Sequence, residues 1–193
     1  VASQDPQAVA IAQQLKEEKI RQQKELLEQQ KIAAAIKAAD IIVLAVWFDV
    51  IKELFYQYEA ILQGKIIVDP SNPIAPDGNG GFKKIIGEKE SAGEILSALL
   101  PKDAKLIKAL GTLGAASLAG AAFHQPATVL FYATDEAGIN AAIEELIYDN
   151  GFAPVHVGAI DQSIRLEVFG DLHEFGALGK TVTTEEAKEK LQS

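Results

Sequence analysis

Residues 65–86, GKIIVDPSNPIAPDGNGGFKKI, decide the fold of this chain. A run of β-branched residues, Ile66, Ile67 and Val68, stops at Asp69. Pro70, Asn72, Pro73, Pro76, Asp77, Gly78, Asn79, Gly80 and Gly81 come directly after it. Proline fixes φ and glycine frees it, and a plain connector does not need both at this density. Open α/β sheets bind ligands outside the carboxyl edge of their strands, and shaped loops there carry function. The stretch therefore reads as a buried strand and then a pocket wall.

Working outward, IIVLAV at 41–46 is a continuous apolar run of the kind a parallel strand buried on both faces requires. Asp49 to Leu62 reads as a helix stopped by Gly64. Downstream, Ser91 and Glu94 make a capping-box pattern that opens a helix to about Leu100, where Pro101 prevents continuation. AKLIKAL (104–110) is a strand, the Ala-rich 114–123 a short helix, and TVLFYAT (128–134) the next strand. Asp135 is expected to cap a helix whose Ile139, Ala142, Ile143, Leu146 and Ile147 share one face, with Gly151 as its stop. APVHVGAI (153–160) is a further strand, and Asp161 to Lys180 is read as helical.

This alternation predicts an α/β fold: a doubly wound, mainly parallel sheet with a small C-terminal helical part. The expected divisions are a helical segment 1–40, an α/β domain 41–160 and a C-terminal helical segment 161–193. In the first of these, Ser3 or Asp5 could cap a helix with Pro6 at its first position, and no Gly or Pro interrupts the residues beyond it, so one long helix or two abutting helices fit. Val9, Leu15, Ile20, Leu27 and Ile36 form an imperfect apolar stripe. A solvated amphipathic helix and a partner-binding arm both fit it.

Composition narrows the chemistry. The 193 residues are 48% hydrophobic and 23% charged, as in ordinary globular proteins. A net charge of −9 without a Lys/Arg cluster argues against nucleic acid and anionic membranes as partners. No apolar run reaches the roughly 20 residues of a membrane span, and no signal peptide is visible, so a cytoplasmic protein is expected. With no cysteine there is no disulfide, thiolate nucleophile or Cys-based metal site. Methionine is absent even at position 1, which suggests a processed, truncated or engineered chain.

The motifs are weak one by one. G-x-G-x-x-G, the turn that cradles a dinucleotide pyrophosphate, is not in the sequence. Gly78, Gly80 and Gly81 precede a Lys-rich segment and suit loop geometry better than a phosphate cradle. Gly111-Thr112-Leu113-Gly114 joins a strand to a helix. It fits either a ligand at the helix N-terminus or close packing of a small-residue helix. His124 and His156 read as structural or solvated. His173, among Asp171, Glu174, Phe169, Leu172 and Phe175, is a functional candidate. No triad, carboxylate pair or metal set can be nominated.

Taken together and in order, ADIIVLAVWFD, GKIIVDPSNPIAPDGNGGFKKI, ESAGEILSALLPKDAKLIKALGTLGAASL, VLFYATD and NGFAPVHVGAIDQSIRLEVFGDLHEFGALGK resemble the coenzyme F420-dependent NADP oxidoreductases, from about Ala39 to the end. The resemblance implies a Rossmann-like fold whose glycine-rich β-α-β start would lie before Val1. It implies an enzyme that transfers hydride between NADP or NAD and a small redox acceptor, such as coenzyme F420 or a flavin, and a homodimer. Ser3 and Gln4 match the pair just after the family's second strand. Gln4 stands where an arginine grips the 2′-phosphate, so NADP and NAD both stay open. Trp47 replaces the family's usual proline. Ala45, Val46, Trp47, Asn72 and Pro73 are implied on the nicotinamide side, with Asp69, Ser71, Gly111, Thr112, Leu113 and His173 towards the substrate. The alternative is a cofactor-incompetent or truncated domain that serves as a binding or dimerisation module.

Overall fold

The β-branched runs form strands, but shorter ones than expected: of 41–46 only Ile41–Val43 is strand, with Val43 and Val46 exposed and not buried on both faces, and of 153–160 only Ala153–His156. A computed structural model of the chain describes residues 6–192, apart from the side chains of Pro6, Ala8, Val9 and Ala12. Ser3, Gln4 and Asp5, named above as a cofactor pair and as helix caps, lie outside the described residues, as does the side chain of Val9. The chain divides into two compact units, the first ending at Ala39 and the second beginning at Asp40.

The described residues of the first unit form one helix, α1 (Pro6–Ala38), which decides between the one long helix and the two abutting helices that its run without Gly or Pro allowed. Gln13 with Glu17, Arg21 with Glu18 and Glu25, and Lys31 with Glu28 pair along its surface at helical spacing. Leu15, Ile20 and Leu27 are exposed.

In the second unit, β1 (Ile41–Val43), β2 (Ile66–Asp69) and β5 (Lys105–Lys108) make a parallel sheet in the order β1-β2-β5. The register sets Ile66 beside Ile41 and Lys105, and Asp69 beside Lys108. A second parallel pair, β6 (Val129–Tyr132) and β7 (Ala153–His156), joins β5 through an antiparallel bridge between Lys108 and Ala133. The Thr134 hydroxyl also donates to the Leu106 carbonyl at 2.8 Å. All four β6 residues are buried, and their alternation splits the core. Leu130 and Tyr132 join Val68, Ile107, Ile143 and Ile147, while Val129 and Phe131 join Leu166, Leu172 and Val182.

Helices cover the sheet. α2 (Phe48–Gln57) and α3 (Glu59–Leu62) bury Phe48, Ile51, Phe55 and Leu62, so the single helix expected over 49–62 is interrupted at Tyr58. α4 (Ala92–Ala98) opens at the predicted Ser91 cap: Ser91 Oγ accepts from Glu94 N at 3.1 Å and donates to the Glu94 carboxylate at 2.8 Å, so the carboxylate takes the hydroxyl and not the Ser91 amide of a full capping box. α5 (Ala115–Gly120) is short, and α6 (Asn140–Asp149) buries Ile143 and Ile147. A 3₁₀ turn at Ala137–Ile139 precedes α6, and Asp135 accepts from the Ile160 amide instead of capping the helix.

Two local expectations are corrected. The Pro/Gly loop contains a hairpin, β3 (Ile74–Pro76) with β4 (Phe82–Lys84), in which Ile74 faces Lys84 and Pro76 faces Phe82. The helix expected over 161–180 is only a 3₁₀ turn and α7 (Ser163–Leu166), with turns beyond it. The reason is local: Arg165 closes a bidentate pair with Asp171, and Phe169 takes a left-handed φ of 77°, which no continuing helix permits. α8 (Thr184–Gln192) ends the described chain. Among the described residues no helix is long and apolar enough to cross a membrane.

Candidate functional site

The carboxyl ends of β2 and β5 meet over a buried charged knot. Lys108 Nζ lies 2.7 Å from Asp69 Oδ2 and 3.6 Å from Glu167 Oε1, and donates to the Ser71 carbonyl at 2.5 Å. All three charged side chains are at most 2% exposed. Glu167 also accepts from the Ala92 and Gly93 amides, both at 3.1 Å. Its carboxyl is nonetheless pushed above the ordinary value. Burial is the largest cause and the Asp69 charge adds to it, while Lys108 and the two amides oppose. Asp69 is thus a structural anchor for the loop beyond it. Its other oxygen caps that loop, accepting from Ser71 N at 2.7 Å.

Asn72 ties three segments together. Its Nδ2 donates to the Gly111 carbonyl at 3.3 Å, and its Oδ1 accepts from Val168 N at 2.6 Å. Both ends of the amide are used by the protein, so Asn72 positions the loops. Gly111 is required by contact: a Cβ there would sit 2.4 Å from the Pro70 carbonyl oxygen. At Gly114 a Cβ would fall 2.6 Å from the tip of the exposed Phe175 ring, a side chain that can shift. Close approach of backbone therefore explains Gly111.

Two cavities flank the Asn72 loop. One, of about 700 Å³, is bounded by Ala45, Val46, Trp47, Val50, Pro70 and Ser71. The other, of about 500 Å³, is bounded by Phe82, Leu113, Gly114, Val168, Phe169, His173 and Phe175. Asn72, Ile74 and Ala115 border both. Of the residues nominated from sequence, Ala45, Val46, Trp47, Ser71 and Asn72 thus gather on the first, and Asn72, Leu113 and His173 on the second. Pro73 is buried beneath the hairpin and accepts from Ile85 N. Gly111 and Thr112 line neither cavity, their carbonyls accepting from Asn72 Nδ2 and Glu174 N, and Asp69 belongs to the knot.

His173 is 1% exposed. Its Nδ1 accepts from Phe175 N at 2.9 Å, so that nitrogen carries no proton and the ring is neutral. Burial pulls the imidazole below its ordinary value; Lys108 adds to this, and Gly111 and Glu174 oppose it. The Ser71 and Thr112 hydroxyls are buried and have no hydrogen-bond partner among the described residues. Such an atom beside a cavity is where a ligand polar group would be satisfied. Ser71 stands on the wall of the first cavity, so that cleft fits the polar half of a nicotinamide.

Sequence reasoning missed Lys108, Glu167 and the phenyl rings of Phe82, Phe169 and Phe175. The available signal was a charge inside an apolar run, in AKLIKAL and again in RLEVF.

The family model for NADP oxidoreductase, coenzyme F420-dependent, matches residues 1–73. A hypothetical protein of known structure from Sinorhizobium meliloti is 30% identical with a TM-score of 0.63. The match covers 76% of this chain and 67% of that one. A protein from Arthrobacter sp. FB24 assigned as an F420-dependent NADP-reductase is 25% identical with a TM-score of 0.59, and the match covers 67% of this chain and 60% of that one. No curated protein matches the chain. The parallel strands, the loop after Asp69 and these likenesses agree, and the chain belongs to the coenzyme F420-dependent NADP oxidoreductase family.

Proposed function

We propose that this chain is the nicotinamide-holding and acceptor-holding part of an NAD(P)-dependent oxidoreductase. The observation that carries this function is the pair of cavities that meet at Asn72, Ile74 and Ala115. Hydride transfer needs two planar groups brought to about 3–3.5 Å, and adjoining clefts that share the lining residues Asn72, Ile74 and Ala115 suit that task. A bound reduced nicotinamide supplies the hydride, so the protein needs no nucleophile or metal of its own.

Each residue then has a limited duty. Val46 and Trp47 offer apolar surface to the nicotinamide ring, and the unpartnered Ser71 hydroxyl offers a hydrogen bond to its polar edge. Asn72 holds the dividing loop in register with Gly111 and Val168. The phosphate half of the nucleotide has no glycine-rich cradle in this sequence, so the proposal concerns the nicotinamide end.

Trp47 is the only tryptophan and borders the first cavity, which makes it a built-in reporter. Titration with NADPH and with NADH is expected to quench its fluorescence saturably, and Ser71→Ala to weaken the binding. The absence of any saturable quenching by either nucleotide overturns the proposal.

A further inference from the structure

The second cavity differs from the first in what its wall offers a ligand. Three phenyl rings surround it, from β4 (Phe82), from the turn after α7 (Phe169) and from the segment after His173 (Phe175). They are 52%, 53% and 62% exposed, which leaves a cluster of aromatic surface in water. Phe169 also holds a left-handed φ of 77°, unusual for a bulky side chain. Strain of this kind persists where surrounding bonds impose it, and it concentrates at ligand sites. Here the Val168 amide is held by Asn72, and the Gly170 amide by the Glu167 carbonyl at 2.7 Å.

The polar side chains that line this wall are Asn72 and His173; beside it the Thr112 hydroxyl and one oxygen of the Glu174 carboxylate are buried without a partner among the described residues, and the carboxylate adds negative charge near the cavity. Asn72 uses its oxygen and its nitrogen on backbone, and His173 accepts the Phe175 amide through Nδ1. Among the described residues, no Lys, Arg, Asp or Glu lines the cavity. Two neighbouring cations are spent elsewhere: Lys84 on the Glu88 and Glu90 carbonyls, Lys108 in the buried knot. An anionic ligand would lose its hydration there and gain no counter-charge, whereas a flat neutral ring would stack on phenyl faces. About 500 Å³ lies within the range of small-molecule sites.

We infer that the cavity walled by Phe82, Phe169 and Phe175 takes the ring of an uncharged planar aromatic molecule of the quinone type, and excludes the same ring when it carries a fixed anionic group. Its being the redox acceptor rests on the proposed oxidoreductase function; its selectivity for a neutral ring does not.

The test is calorimetric titration of the full chain with naphthoquinone and with naphthoquinone sulfonate, without nucleotide. The chain has no cysteine, so no thiol adduct confuses the isotherm. Naphthoquinone is expected to bind saturably, and the sulfonate at least about tenfold more weakly. Phe169→Gly should weaken naphthoquinone binding while keeping or raising the melting temperature, because glycine accepts the left-handed backbone without strain. Phe82→Ala, on the exposed hairpin, should weaken it too. Equal or tighter binding of the sulfonate overturns the inference, as does unchanged naphthoquinone binding in both variants. Naphthoquinone binding that depends on Phe169, in a chain that binds neither NADPH nor NADH, sinks the oxidoreductase proposal and leaves the cavity assignment standing.

Discussion

The two halves of residues 65–86 are held in opposite ways. Ile67, Val68 and Asp69 are fully buried, and the loop they lead into is fixed from afar, by Lys108 on β5, Gly111 beyond it and Val168 near the C-terminus. The hairpin from Ile74 to Lys84 is held almost wholly by its neighbours. Asp77 accepts from Asn79 N at 2.7 Å and Gly81 N at 3.0 Å, and Lys84 reaches the Glu88 and Glu90 carbonyls. Phe82 and Ile85 stay exposed. The first half is a rigid divider whose geometry depends on long-range bonds. The second is a locally organised flap that brings one phenyl ring to the cavity.

The largest effect should come from breaking the knot. Lys108→Met leaves Asp69 and Glu167 buried together without their cation, and removing one partner of such a cluster costs about 3–5 kcal/mol, to be read from urea unfolding. Because the folded Glu167 carboxyl already lies above its ordinary value, its favourable contribution is complete below pH 4.5 and is lost as pH rises through the folded value. The variant should therefore lose stability with rising pH more steeply than the native chain.

Next comes Asn72→Ala, which unties the divider while leaving the knot intact. The Val168 amide loses its acceptor, and about 1–3 kcal/mol of stability should go with it. The same substitution should weaken ligand binding in both cavities, which separates it from a purely structural lesion elsewhere.

His173 sharpens the contrast through pH. Its folded value lies below the ordinary 6.5, so its contribution is complete above 6.5 and is lost as pH falls through the folded value. A melting-temperature series between neutral and mildly acid pH should fall for the native chain and flatten for His173→Gln.

The smallest effect is expected in the flap. Asp77→Ala should leave the global unfolding midpoint unchanged and abolish protection of the Asn79 and Gly81 amides in hydrogen exchange. A global loss comparable to that of Asn72→Ala would show that the hairpin is not locally held.

Sequence alone determined the features whose physics is local. The end of β2 at Asp69, the Ser91 cap of α4, the apolar face of α6 and the helical character of α1 each arise from neighbouring residues, and each was legible. Three-residue strands flanked by proline are too short for alternation to declare itself, so the β3–β4 hairpin was not. The turns after α7 were hidden too, because a bidentate pair and a left-handed phenylalanine, not composition, end that helix. Only tertiary structure decided that Lys108 meets Asp69, 39 residues away, and Glu167 besides, and that three phenyl rings border one space. A charge in an apolar strand looks the same in sequence whether it is solvated or paired, and its partner is fixed only when distant segments pack.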